Sequence, residues 1–162
     1  MVNDQTCNGT DFAGCARAPV TLKVGTFPYG LAVDDATHTL YVADNRNGDL
    51  PGEVTMVNTS ICNGFVSSGC HQVFPTAYIG RSARLVALDQ EAGMLYVTDR
   101  GSAAVSVLRT ADCNSEVTKG CPALAPELAV GSKPVGLAVD QATGTVYVAN
   151  TVSGTMSVLN AR

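Results

Sequence analysis

Residues 130–158 read VGSKPVGLAVDQATGTVYVANTVSGTMSV, and most of this phrase occurs twice more in the chain. Its GLAVD core, at 136–140, recurs at 30–34, and a related LVALD lies at 85–89. The copies therefore begin at residues 30, 85 and 136, which makes them 55 and 51 residues apart. Such a spacing indicates an array of one supersecondary unit, and the array decides the fold.

Each copy predicts four short antiparallel strands joined by tight turns. The segments are rich in Val, Thr, Ala and Tyr, and Gly, Pro and Asp separate them, a pattern typical of short strands. The predicted first strands are 31–33, 86–88 and 137–139, and the second strands are 39–43, 94–98 and 145–149. The predicted third strands are 54–57, 105–108 and 156–159. The fourth strands are 20–24, 76–79 and 127–130. Four antiparallel strands in a unit of this length describe one blade of a β-propeller, so the predicted class is all-β.

The phrase at 130–158 resembles the YVTN-type β-propeller repeat, which is related in architecture to NHL and WD repeats. The resemblance implies a single propeller segment over residues 1–162, with approximate repeats 7–61, 62–112 and 113–162. It also implies an extracytoplasmic scaffold or interaction module without chemistry of its own. The middle copy departs from the pattern, with Ala83 in place of Pro and Arg84-Leu85 before the Val-Ala-Leu stretch.

A second motif, Cys-x7-Cys ending in Gly-Cys, occurs once per unit as an addition to the basic repeat. The pairs are Cys7 and Cys15, Cys62 and Cys70, and Cys113 and Cys121. Zinc sites favour closer cysteines and more histidine than the two in this chain, so three local disulfides are predicted over metal binding or free thiols. Each would close a loop worth about 2.5 kcal/mol in the chain-entropy model. Disulfides place the protein in an oxidising setting: secreted, periplasmic or at the cell surface.

Composition excludes several classes of protein. The formal net charge is −4, so a phosphate backbone would be repelled and nucleic acid is not expected as a partner. No apolar run is long enough to predict a membrane span.

Candidate catalytic residues are few. An aspartate recurs at the end of each first strand, as residues that cap turns do: Asp34, Asp89 and Asp140. His38 and His71 are not placed for a Ser-His-acid triad, so an enzyme is not favoured, although related propellers include lactonases and lyases.

The order of the predicted strands bears on assembly. The chain opens on a fourth strand at 20–24 and closes after a third strand at 156–159. Propellers typically carry four to eight blades, so three predicted blades do not make a ring. Three solutions are open: a homodimer of six blades closed by exchange of terminal strands, a head-to-tail filament, or a piece of a longer propeller. The homodimer is the one predicted.

Two candidate sites accompany this fold. Basic side chains in the loops at one mouth of the propeller could bind, or help to hydrolyse, a small anionic ligand, the alternative being solvated surface charge: Arg46, Arg81, Arg84, Arg100 and Lys133. The insertion in the first unit carries hard oxygen ligands for calcium, the alternative being a plain extended turn: Asp44, Asn47, Asp49 and Glu53. No other cofactor is predicted.

Each unit has one tyrosine at an equivalent position of its second strand: Tyr41, Tyr96 and Tyr147. We predict that these rings pack between blades rather than form a stacking platform for a ligand.

Overall fold

The computed structural model describes residues 5–16 and 18–160. Within them it contains eleven strands and no helix, which confirms the all-β class. The first sheet consists of β1 (Pro28–Asp34), β2 (Thr39–Asp44), β3 (Pro51–Asn58) and β4 (Thr76–Arg81). The second consists of β5 (Ala83–Asp89), β6 (Met94–Asp99), β7 (Ala104–Arg109) and β8 (Glu127–Ala129), and the third of β9 (Pro134–Asp140), β10 (Thr145–Asn150) and β11 (Thr155–Asn160). No described helix is long and apolar enough to cross a membrane.

Every sheet is an antiparallel meander, as expected of propeller blades. The predicted Asp caps are present at all three inner turns. The Oδ1 atom of Asp34 accepts the backbone N–H of Ala36 at 3.0 Å, and Asp140 does the same for Ala142 at 3.0 Å. In the second sheet the Oδ1 atom of Asp89 accepts, at 3.0 Å, the backbone N–H of Ala92, which lies three residues further along the chain instead of two.

The inner strands approach one another closely, as the Ala and Gly content of the repeat predicts. A Cβ on Gly30 would lie 2.6 Å from the carbonyl oxygen of Arg84 and 2.8 Å from the Cα of Leu85. Both contacts are to the backbone of β5, so only glycine fits at this point of β1. The close approach sets the first two sheets side by side at the propeller axis.

The core lies between successive sheets. Tyr41 of β2 is fully buried against the second sheet, and its hydroxyl donates a hydrogen bond to the Cys113 carbonyl oxygen at 2.9 Å. Tyr96 of β6 is 2% exposed and packs with Val146 and Val148 of β10. Burial raises the pKa of the Tyr41 phenol to about 12. The prediction that these tyrosines pack between blades is confirmed for both.

The three disulfides are formed as predicted, between Cys7 and Cys15, Cys62 and Cys70, and Cys113 and Cys121. An Asn after the first cysteine stabilises each loop. The Oδ1 atom of Asn63 accepts the backbone N–H groups of Phe65 and Val66 at 2.8 and 2.9 Å, and Asn8 and Asn114 make the corresponding bonds. We refer to the three loops, residues 7–15, 62–70 and 113–121, as the first, second and third cassettes.

The third cassette joins two sheets. It leaves the end of β7 in the second sheet and contacts the first sheet, where the Oγ atoms of Ser115 and Thr39 lie 3.0 Å apart. In addition, Asn58 Nδ2 donates to the Glu116 carboxylate at 3.0 Å. Together with the hydrogen bond from Tyr41 to Cys113, these contacts attach the cassette of one blade to the preceding blade.

One predicted strand is not formed. Residues 20–24 are assigned to no strand and belong to none of the three sheets of the described chain. Val20 and Leu22 nevertheless pack against Val57, Phe74 and the second cassette, on the side of the first sheet that faces away from the second. The segment thus lies where the outer strand of a preceding blade would lie, although the described residues contain no other strand of such a blade.

Candidate functional site

The inner strands begin at one mouth of the propeller, where the side chains of three equivalent positions meet. In β1 the residue before the closely packed Gly30 is Tyr29. Its equivalents are Arg84 in β5 and Val135 in β9. With Arg100 and Leu85 they line a cavity of about 450 Å³. Arg84 and Arg100, two of the five predicted basic residues, are therefore brought together.

Arg84 is held in place by an aromatic ring. Its guanidinium carbon lies 3.9 Å from the centre of the Tyr29 ring, within cation–π distance. Its Nε atom is buried and has no hydrogen-bond partner, and no carboxylate in the described residues forms an ion pair with it. A guanidinium that is fixed in orientation and lacks a counter-charge is suited to a planar oxyanion.

The other predicted basic residues are placed differently. The Arg46 guanidinium lies 3.8 Å from the Glu53 carboxylate and 5.2 Å from the centre of the Tyr78 ring, so its charge is already partnered. Arg81 is exposed, and neither it nor Lys133 lines the cavity that holds Arg84. Of the five predicted basic residues, Arg84 and Arg100 line this cavity, and anion binding by the five residues stays a prediction.

Backbone geometry fixes the mouth. Phe27, Ser82 and Lys133 occupy one equivalent position in each unit, and all three adopt left-handed backbone conformations with φ of 56°, 59° and 55°. Each carbonyl oxygen accepts a backbone N–H from the loop after the second strand of its sheet, at 3.1 Å in every case. Three non-glycine residues held in this region mark the mouth as a constrained part of the chain.

Tyr29 is not among the predicted site residues. Aligning the starts of the inner strands would have placed it beside Arg84, because Tyr29, Arg84 and Val135 are equivalent. That alignment does not reveal that the aromatic ring and the guanidinium stack across the axis.

The predicted calcium ligands are only partly brought together. Asp44 is buried at the end of β2, where Thr55 Oγ1 donates to its Oδ2 atom at 2.6 Å, while Glu53 faces Arg46. Asn47 is exposed in a loop and adopts a φ of 69°. In residues 5–16 and 18–160 no group of three or more His, Cys, Asp or Glu side chains is arranged to hold a metal ion. Calcium binding at Asp44, Asn47, Asp49 and Glu53 stays a prediction.

A buried acid recurs at the corresponding point of the second sheet. Asp99 is fully buried, and its Oδ2 atom accepts a hydrogen bond from Ser106 Oγ at 2.6 Å. Burial raises the pKa of Asp99 to about 7; the Ser106 hydrogen bond opposes this, and the nearby Glu127 carboxylate adds to it. Asn150 occupies the equivalent position in the third sheet and bonds Ser157 through its amide at 2.9 Å. The position therefore accepts an uncharged amide.

We expect Asp99→Asn to remove part of the pH dependence of stability. Since the folded pKa is about 7 and the ordinary value 3.8, the folded state binds the proton more tightly. Protonation of Asp99 therefore stabilises the folded state fully at a pH below the ordinary pKa of 3.8, and this stabilisation is lost as the pH rises to about 7. The variant should match the wild type near pH 4 and exceed it at pH 8 by about 2–4 kcal/mol.

Urea unfolding at both pH values measures this difference. Asp112→Asn is the control, because Asp112 is an exposed carboxylate 3.4 Å from Arg109. Equal pH profiles for the Asp99 variant and the wild type would contradict the assignment.

The side of the third sheet that faces away from the second is apolar and exposed; we call it the trailing face. Met156 and Val158 of β11 are 62% and 60% exposed, and Tyr147 of β10 is 37% exposed. The corresponding residues of the first sheet, Val54, Met56 and Tyr41, are all fully buried against the second sheet. The trailing face therefore has the side chains of an interface between sheets without the neighbouring sheet.

The opposite end of the stack shows the complementary half of that interface. On the side of the first sheet that faces away from the second, the leading face, Leu31 and Val33 are 66% and 45% exposed. Their equivalents in β5, Val86 and Leu88, pack against the core between the first two sheets. The two ends of the chain thus present the two unlike halves of the same repeated interface.

A groove of about 470 Å³ lies beside the trailing face, on the outer rim of the second and third sheets. It is mainly apolar, and its lining includes Met94, Tyr96, Val107, Leu128 and Asn160. The equivalent surface on the first sheet, around Thr39, Tyr41 and Met56, is covered by the third cassette. No described residue of this chain covers the groove in the same way.

Comparison with known proteins supports the fold. No protein-family model matches the chain, and no curated protein sequence matches it. Among solved structures, Kuenenia stuttgartiensis hydrazine synthase aligns with a TM-score of 0.62 at 17% identity, over 89% of this chain and 35% of that one. A nidogen/laminin complex aligns with a TM-score of 0.50 at 14% identity, over 83% of this chain and 48% of that one. The chain has a β-propeller-like fold and spans less than half of either structure; membership of the YVTN-type family stays a prediction.

Proposed function

We propose that the chain is a non-catalytic, extracytoplasmic interaction module that closes into a six-bladed propeller by pairing with a second copy. In this assembly the trailing face of each copy packs on the leading face of the other. The observation that carries the proposal is the exposure of Met156 and Val158, whose equivalents Val54 and Met56 are fully buried inside the chain.

The two faces match because the chain already contains their interface twice, between the first and second sheets and between the second and third. A second copy brings the same side chains in the same spacing. Burying an apolar side chain such as Met156 or Leu31 contributes about 1.5–3 kcal/mol. Two such junctions form in a two-fold dimer, because each copy offers one face of each kind.

The three disulfides support an oxidising location, since such bonds persist outside reducing compartments. The Asp residues at the ends of the inner strands bond the turns that follow them in every sheet, which favours a structural role over a catalytic one.

Light scattering of the oxidised 162-residue chain tests the proposal. We expect a molar mass of twice the chain mass of 16.7 kDa at micromolar concentration. A monomer would overturn ring closure by a second copy, and a mass that keeps rising with concentration would favour an open filament.

A second candidate function is binding of a small oxyanion at the mouth. It is favoured by the Arg84 guanidinium, which stacks on Tyr29 and has no carboxylate partner among the described residues although the chain is acidic. Charge-assisted hydrogen bonds of a guanidinium contribute about 1.5–3 kcal/mol. Arg84→Gln should therefore weaken binding at least about 10-fold.

Calorimetric titration with citrate and with inorganic phosphate measures this effect and separates carboxylate from phosphate recognition. Arg109→Gln is the matched control, since Arg109 is 69% exposed and lies on the outer rim beside Asp112. No heat of binding to the wild type with either anion would reject the site.

A further inference from the structure

We propose that the outer groove around Tyr96 is the docking site for the first cassette of a second copy. In the same step, residues 20–24 of that copy add to β11 as the fourth strand of the third sheet. This inference rests on the proposed ring and specifies what each copy inserts into the other.

The third cassette shows what such a groove receives. It follows β7 of the second sheet and lies over β2 of the first, where the Tyr41 hydroxyl donates to the Cys113 carbonyl oxygen. Tyr96 is the equivalent of Tyr41, but in residues 5–16 and 18–160 its hydroxyl has no hydrogen-bond partner from a cassette. In the first two sheets the cassette lies between the third and fourth strands. A cassette over Tyr96 would therefore lie next to the end of β11, the third strand of the third sheet, whose last residue, Asn160, lines the groove.

The first cassette is the one that fits. In sequence order it precedes residues 20–24, just as the third cassette precedes β8. Residues 8–13 of this cassette are exposed to solvent in the described chain. Its Asn8 side chain accepts two backbone N–H groups equivalent to those that Asn114 accepts in the third cassette, so the two cassettes share this turn. Docking would bring the Cys7 carbonyl oxygen to the Tyr96 hydroxyl.

The strand register follows from the two complete sheets. In the first, Thr55 pairs with Thr76 and Val54 with Ala77; in the second, Ser106 pairs with Glu127 and Val105 with Leu128. The same register sets Ser157 opposite Thr21 and Met156 opposite Leu22 of the second copy. The backbone N–H groups of Met56 and Val107 donate to Pro75 and Pro126 at 2.9 Å, so that of Val158 would donate to Val20.

Residues 20–24 already lie on the face where this addition would take place. Val20 and Leu22 already pack on the leading face of their own copy, in the position of a preceding blade's outer strand. Among the described residues, β11 pairs with β10 alone, so it is an edge strand of the third sheet in that part of the chain. An exposed edge strand and a segment that lies outside the described sheets are the two halves of a strand addition.

A pair of introduced cysteines tests the docking. Gly9 and Met94 are the equivalents of Ser115 and Thr39, whose Oγ atoms lie 3.0 Å apart, so Gly9→Cys and Met94→Cys should be within disulfide reach between copies. A Cβ on Gly9 meets no atom within 4 Å, so this change should not disturb the cassette. We expect the double variant to form a covalent dimer on oxidation, with the link between the two introduced cysteines identified by peptide mass mapping.

The control pairs Gly9→Cys with Val117→Cys, because Val117 is 46% exposed on the third cassette, outside the groove. It should stay uncrosslinked. If the protein is dimeric by light scattering but the introduced cysteines at positions 9 and 94 form no link between copies, this docking is wrong and the ring proposal survives. A monomeric wild type, or a link within one chain, would overturn both.

Discussion

Replacing Met156 and Val158 together with lysine should convert the proposed dimer into a monomer. Both side chains lie on the trailing face and are about 60% exposed in the single chain, so the changes cost little there. In the ring they would be buried as Val54 and Met56 are, and the lysine charges would have no partner. Each buried, unpaired charge costs several kcal/mol, so dimerisation should weaken by more than about 1000-fold.

Sedimentation equilibrium over a range of concentrations measures the dissociation constant. Val117→Lys is the matched control, since it adds a charge to an exposed apolar position on the third cassette, which contacts its own chain. A double variant that stays dimeric would show that the trailing face is not the junction.

Tyr41→Ala should have the largest effect on the stability of the single chain. Tyr41 is fully buried between the first two sheets and bonds the Cys113 carbonyl oxygen at 2.9 Å. Its loss leaves a cavity and an unsatisfied carbonyl oxygen, which together should lower the free energy of unfolding by about 3–5 kcal/mol.

Tyr147→Ala provides the comparison, because Tyr147 is the equivalent residue but is 37% exposed on the trailing face. Both variants are best measured by urea unfolding in the Met156→Lys, Val158→Lys background, where the chain is expected to be monomeric. There Tyr147→Ala should cost less than about 1.5 kcal/mol. Equal losses for the two tyrosines would contradict the distinction between an internal interface and an open face.

The repeat predicts much of the fold because each blade is a local unit. Alternation and turn residues predict the strands, and the cassette spacing predicts the disulfides, since both depend on residues close in sequence. One Tyr per unit at a fixed strand position predicts packing between blades, which holds for Tyr41 and Tyr96, while Tyr147 at the same position of the third sheet is 37% exposed.

Contacts between blades are harder to predict. That the third cassette clamps the first sheet depends on a bond between Tyr41 and Cys113, which are 72 residues apart. The predicted strand at 20–24 is not formed because a strand needs a neighbouring strand as well as a suitable sequence, and none of the three described sheets includes this segment.

The predicted basic cluster is also broader than the one the fold assembles. Composition and loop position select five residues, but only the arrangement of β1 and β5 shows that Tyr29 orients Arg84. The same loops place Arg46 against Glu53, a partner whose proximity could not be derived from spacing alone.

The unlike ends of the stack have a kinetic consequence. In the proposed ring, two copies are held together at two junctions, so their separation requires both junctions to open before either re-forms. While one is open, the other tethers the loose ends at an effective concentration in the millimolar range, far above that of free subunits. Exchange of subunits between assemblies should therefore be slow, and a copy damaged at only one end should stay attached through the other.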